Sequence, residues 1–358
     1  MRPLEIIIII LLAIQFIWQF FGSRPRAAAF LPAFVLLLIL GHIFFEGFRW
    51  QMYPFYGLGL LLFFIGLPAM INSAYFNPGQ IRGWKIVLPV LGLVLVGIFS
   101  LIPTLLPVPS LKLPSGPFPV GTRTMVITDP TRNEIYSGKF EPRKFMVEFW
   151  YPAVKPAPGI NPAPWMPEAK IVAPAIADYI KLPHFFLDHL NLAKSASYEN
   201  IPADMSAGPY PILIFSHGWN GFRQQSTFLM QELASHGYIV VAMEHPYGSR
   251  MTVFPDGSII PNDPAALPKD KPTAEYETAA RILVNQWAGD IGYTLTCLPQ
   301  LNKNDPARQI TDLIAFDKVG VFGHSTGGGA TIQFCGTDKR CKVGLTLDAF
   351  MRPVGLDV

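Results

Sequence analysis

Ser325 is the residue of this chain best suited to act as a nucleophile. It lies in Gly323-His324-Ser325-Thr326-Gly327, a G-x-S-x-G run entered by the apolar residues 319–322 (VGVF) and left by a segment able to form a helix. Strand, sharp turn and helix with serine at the turn make a nucleophile elbow. The turn drives the serine into a strained backbone conformation, and glycines let strand and helix approach closely. The hydroxyl then projects at the head of a helix, where backbone N–H groups stabilise negative charge. Acyl transfer is the chemistry such a serine performs.

Two more polar sites fall at the ends of apolar runs. Residues 212–215 (ILIF) run into Ser216-His217-Gly218-Trp219-Asn220-Gly221. Beside an elbow, such a loop supplies one oxyanion-binding amide and the residue after the nucleophile supplies the other, here Trp219 and Thr326. An ordinary strand-to-helix turn has the same composition. Residues 343–347 end in Asp348-Ala349-Phe350. An acid there shares a rim with Ser325, where a buried carboxylate orients a catalytic imidazole; a turn or N-cap aspartate has the same spacing.

The elements that must position these residues are legible as short apolar runs bounded by turn residues: 147–151 (VEFWY), 212–215, 239–243 (IVVAM), 319–322 and 343–347. Such runs suit buried parallel strands. Residues 226–236 have a helical pattern stopped by Gly237, and 273–300 hold a longer one. Strand–helix alternation around a serine elbow predicts an α/β-hydrolase sheet over residues 108–358.

The first third differs. The chain has 358 residues, net charge +3 and only 15% charged residues, and its positive mean hydropathy of +0.32 is concentrated at the N-terminal end. Apolar runs at 6–21, 27–45, 52–71 and 86–106 predict a membrane region of about four transmembrane helices over residues 1–107. Arg2, the first run and Ala27-Ala28-Ala29 also fit a signal peptide, but Glu5 and the three later runs favour spans. His42 is the only ionisable side chain within the runs, so they read as an anchor rather than a transport pathway. Arg24, Arg26, Arg82 and Lys85 in the first and third loops, against Arg2, Arg49 and Lys112, place both termini outside the cytoplasm. Pro103, Pro107, Pro109, Pro114, Pro117 and Pro119 predict a stiff, extended connector.

Other chemistries find little support. Cys297, Cys335 and Cys341 make no disulfide framework, and neither C-x-x-C nor H-E-x-x-H occurs. No metal or cofactor is expected. His184 and His189 flank Asp188 without metal-ligand spacing, so residues 178–190 read as an amphipathic segment. Gly327-Gly328-Gly329 lacks the lysine of a phosphate loop, and no basic stripe suits nucleic acid. Asp256-Gly257 reads as a hairpin turn.

The residues from about 116 to 356 resemble the platelet-activating-factor acetylhydrolases of the plasma and intracellular type II class. The resemblance rests on Gly116-Pro-Phe-Pro-Val-Gly121, Tyr210-Pro-Ile-Leu-Ile-Phe-Ser-His-Gly218, Leu233-Ala-Ser-His-Gly237 with Glu244-His245, the elbow at 323–328, and Leu347-Asp348-Ala-Phe350. It implies a calcium-independent esterase that removes short or oxidised sn-2 acyl chains from phospholipids at a lipid bilayer. It also implies Ser325 as nucleophile, Asp348 as triad acid, and Trp219 and Thr326 as oxyanion donors. The family's triad histidine lies beyond the acid, whereas the ten residues after Asp348 hold no histidine. The expectation is therefore a C-terminally truncated sheet whose last strand has an uncovered edge, and a chain nearly inactive without its base. A broad carboxylesterase or polyester hydrolase shares the elbow. A non-catalytic, membrane-anchored binding module is the reading from another class.

Overall fold

The structure is a computed structural model that describes residues 1–21, 25–72, 83–305 and 309–355. It divides into two compact units, residues 1–109 with 186–193, and residues 110–185 with 194–358.

The first unit is built on helices α1 (Pro3–Ile17), α2 (Leu31–Phe45), α3 (Tyr53–Ile71) and α4 (Val87–Leu105). With the short turns that flank them they give four stretches of 18, 20, 22 and 19 residues, long and apolar enough to cross a membrane by length and composition. Ile8, Leu12, Val35, Ile39, Met52, Phe55 and Val96 form the interior, while Leu37, Phe44, Leu61, Phe64 and Leu88 point outward. Pro103 lies inside α4, not in the connector as its sequence position suggested.

Charge enters this bundle where the apolar-run reading had none. α1 begins at Pro3, before the apolar run, and so takes Glu5 into the helix. Glu5 accepts from Arg49 Nη2 at 2.6 Å and from Arg2 Nε at 2.8 Å, and His42 Nε2 lies 3.4 Å away. Arg49 Nη1 also donates to the Leu106 carbonyl at 2.9 Å. The chain start, the α2–α3 turn and the end of α4 thus meet at one end of the bundle. Glu5, His42 and Glu46 stand close enough together to hold a cation, but two arginines already balance the carboxylates. His189 belongs to this unit, with Nδ1 2.8 Å from Gln51 Nε2, whereas His184 is exposed and pairs with Asp178.

The second unit is mixed α/β, with a seven-stranded, mostly parallel sheet. Its strands are β1 (Val120–Asn133), β2 (Pro142–Pro152), β3 (Ser197–Glu199), β4 (Tyr210–Ser216), β5 (Ile239–Glu244), β8 (Ile314–His324) and β9 (Val343–Leu347), in spatial order β3-β1-β2-β5-β4-β8-β9. β5, β4, β8 and β9 are parallel. β2, which contains VEFWY, runs antiparallel to both neighbours, correcting its reading as a parallel strand. The run is apolar because both faces of β2 are covered, and that holds for either direction.

Alternation along the strands sorts side chains onto two faces. Ile239, Val241 and Met243 pack with Leu283, Val284, Trp287 and Ile291 of α7 (Thr273–Asn304), and with Phe334 of α8 (Thr326–Thr337). Val240 and Ala242 pack with Trp150 and with Met230 and Ala234 of α6 (Thr227–Ser235). α5 (Ala169–Tyr179) packs at Val253 beside the hairpin β6–β7 (Met251–Val253, Ile259–Pro261), whose turn is Asp256-Gly257 as expected. Val343 and Leu345 leave the outer edge of β9 exposed. Cys335 and Cys341 form a disulfide, correcting the expectation that the cysteines make no framework. The end of α8 turns at Asp338 and brings the two Cα atoms within 5.1 Å, a proximity six residues of sequence do not announce.

Candidate active site

β8 delivers Ser325 to the carboxyl edge of the sheet, and α8 leaves from it. Ser325 has φ +50° and ψ −117°, a conformation that a side chain normally avoids. The turn closes only because its flanks lack side chains. A methyl group on Gly323 would collide with the Gly327 carbonyl, and one on Gly327 with the Ser216 carbonyl. Ser325 is half-buried, and among the described residues its hydroxyl has no hydrogen-bond partner.

The loop after β4 lies against this elbow. Ser216 pairs in register with Gly323, and a methyl group on Gly218 would sit 3.2 Å from Ser325 Cβ. The Trp219 amide has no acceptor among the described residues, and Thr326, as first residue of α8, has no intrahelical acceptor for its own. Two donors are thus left beside Ser325. On the other flank, Ser325 N donates to the Leu347 carbonyl at 3.1 Å and Phe350 N donates to the Ser325 carbonyl at 2.8 Å. Asp348 lies between those partners. It is exposed, where the sequence reading had it buried.

Beneath the β4 loop a polar array joins Ser216, His217 and His245, which lie in segments named from the sequence, to Asp290 and Ser249, which were not named. Asp290 Oδ2 is 2.9 Å from His245 Nδ1, and His245 Nε2 is 2.9 Å from Ser216 Oγ. His217 Nε2 is 2.9 Å from Ser249 Oγ, and its Nδ1 is 2.7 Å from the Gly218 carbonyl. All are buried, with Trp287 stacked on His245 at 4.2 Å. Burial, reinforced by His245, pushes His217 down to about 3. Burial outweighs Asp290 and lowers His245 as well. Burial alone would raise the Asp290 carboxyl, but Arg143 and His245 hold it well below the usual carboxylate range. Burial thus disfavours the charged form of both imidazoles, while Arg143 favours the charged form of Asp290. His324 meets Gln225 at 3.3 Å, and among the described residues no histidine hydrogen-bonds the Ser325 hydroxyl.

With this geometry in view, comparison with known proteins is decisive for ancestry. The family described as Platelet-activating factor acetylhydrolase, isoform II, matches residues 108–358. The chain belongs to this family. The motif resemblance is thereby borne out. A platelet-activating factor acetylhydrolase of Cavia porcellus is 34% identical over 166 residues, 42% of this chain and 37% of that protein. A probable 1-alkyl-2-acetylglycerophosphocholine esterase of Arthroderma benhamiae is 28% identical over 254 residues, 66% of this chain and 57% of that protein. The chain spans about two fifths to three fifths of the length of these relatives. Among solved structures, a ferulic acid esterase from Streptomyces cinnamoneus has the same fold, with TM-score 0.50 and 23% identity, over 65% of this chain and 60% of that one.

For a member of the acetylhydrolase family, the structure brings Ser325, Thr326, Gly218-Trp219 and Asp348 to one edge of the sheet. Glu244-His245 was already visible as a family motif. Asp290 was not: it sits mid-helix in WAGDIG, where no spacing marks it as a partner of a residue 45 positions away.

Proposed function

We propose that the protein is a membrane-anchored serine esterase of the α/β-hydrolase kind, cleaving short or oxidised acyl esters of phospholipids without calcium. The observation that carries this reading is the strained Ser325 at the head of α8, beside a Trp219 amide that has no acceptor among the described residues. In this reading Ser325 Oγ attacks the ester carbonyl carbon and its proton passes to an imidazole that Asp348 orients. The carbonyl oxygen becomes an oxyanion held by the Trp219 and Thr326 amides. The C–O bond breaks, the alcohol leaves with the proton, and water then frees the acid from the acyl-enzyme. Amides, not a metal ion, carry the developing charge, so chelators leave the rate unchanged.

The membrane part of the proposal rests on the four long apolar helices and the apolar side chains on their outer faces. The hydrolase region, from about residue 108, is assigned to the extracytoplasmic side. Four basic residues in the first and third loops support this against three on the other side, two of which are paired with Glu5. The Cys335–Cys341 disulfide suits the oxidising side.

A fluorophosphonate probe on the full-length protein tests the reading. Label on Ser325, lost together with phospholipid hydrolysis in Ser325→Ala, is expected; hydrolysis surviving in that variant overturns it. Rates on short-chain phospholipids against p-nitrophenyl esters and polyesters separate the lipid assignment from a broader esterase.

A further inference from the structure

Asp290, His245 and Ser216 have the hydrogen-bond order of a catalytic triad, yet all three are fully buried and no substrate reaches them. Their arrangement makes sense one step further along. Ionised Asp290 accepts from His245 Nδ1–H, so His245 Nε2 carries no proton and accepts from the Ser216 hydroxyl. The backbone N–H of His245 donates to His217 Nε2 at 3.3 Å. His217 Nε2 is therefore the acceptor nitrogen. A neutral ring then carries its proton on Nδ1, which donates to the Gly218 carbonyl at 2.7 Å.

That carbonyl is half of the peptide whose other half is the Trp219 N–H. In a trans peptide the two point in opposite directions. The Gly218 carbonyl accepts from His217 Nδ1 and from Gly221 N, at 2.9 Å, so the plane is held from the carbonyl side. The loop is pinned farther along by Asn220 N to the Gly248 carbonyl and Arg250 N to the Gly221 carbonyl. Without the Nδ1–H, the Gly218–Trp219 peptide has one fewer tie against rotation. An oxyanion donor is effective only if it is already aimed when charge develops.

We propose that His217 is a positioning residue for the oxyanion amide of Trp219, held in its Nδ1–H tautomer by the Gly218 carbonyl at Nδ1 and the His245 backbone N–H at Nε2. The proposal rests on the reading of Ser325 and Trp219 given above. It assigns His217 no proton transfer and no contact with substrate.

Asparagine and glutamine at 217 separate this role from packing. The asparagine amide reaches the Nδ1 position and can donate to the Gly218 carbonyl; the glutamine amide lies nearer the Nε2 position and cannot. In the full-length protein, active serines are counted by fluorophosphonate titration and kcat is expressed per titrated site. His217→Asn is expected within about tenfold of wild type, and His217→Gln and His217→Ala lower by about 10²–10³-fold, the range for loss of one oxyanion donor, with KM little changed. Equal kcat per site in the asparagine and glutamine variants, a loss confined to KM, or failure of His217→Asn to fold each overturns the proposal. Failure of the underlying reading shows separately, as wild-type protein unlabelled at Ser325.

Discussion

Ser325 and Asp348 share one unusual backbone setting: each has φ of +50°, at the carboxyl ends of the neighbouring parallel strands β8 and β9. Two backbone hydrogen bonds, from Ser325 N to Leu347 O and from Phe350 N to Ser325 O, tie the turns together around Asp348. In the proposed roles of nucleophile and acid, the two would then need no reordering at each turnover, because one hydrogen-bonded edge holds both turns.

Asp348→Asn is therefore expected to lower kcat on phospholipid by about 10²–10⁴-fold with KM within a few-fold, as loss of the acid that orients an imidazole does. Single-turnover and steady-state kinetics on the full-length protein measure this. Unchanged kcat assigns Asp348 to the turn alone.

Glu148 gives the fold a pH dependence. Burial pushes its carboxyl up to about 7, against the opposing effects of Arg223 and the Gln224 amide, which donates at 2.7 Å. A folded value above the unfolded one means that the stabilisation is complete below about 4.5 and is lost as pH rises through about 7. The shift corresponds to about 3 kcal/mol at most. Thermal unfolding should show a Tm falling between pH 5 and 8, and Glu148→Gln should flatten that slope. A slope that persists in the variant locates the dependence elsewhere.

Arg49→Ala leaves Glu5 buried with one arginine fewer and frees the Leu106 carbonyl. The expected cost is about 3–5 kcal/mol, since breaking one side of a buried pair strands the other charge. Pairing Arg49→Met with Glu5→Gln should recover most of it. Unfolding in detergent reads both, and a double variant no better than the single one rules out the ion pair as the cause.

Reducing the Cys335–Cys341 bond should cost about 2 kcal/mol, the cross-link entropy of a short loop. Differential unfolding with and without reductant checks this. Cys335→Ser must be insensitive to reductant.

The sequence revealed what depends on local chemistry and concealed what depends on distant pairing. The elbow was legible because a strained serine needs glycine neighbours at fixed spacing, as the close contact between Gly323 and Gly327 confirms. The strand cores in β2, β4, β5 and β8 were legible because burial removes polar residues, whereas residues 343–347 form an apolar but exposed strand. β1 was missed: its TRTMVITDPTRN mixes charge into a strand beyond the apolar centre of the sheet. Asp290 and the cysteine pair were hidden for a related reason, since their partners are fixed by packing rather than by spacing. Glu5 was set outside the spans because an apolar-run reading ignores an acid neutralised by arginines 3 and 44 positions away.

The Arg49 side chain reaches back 44 residues to Glu5 and forward 57 to the Leu106 carbonyl. A change at this one position therefore touches the first helix and the end of the fourth together, so damage there is not confined to a single helix.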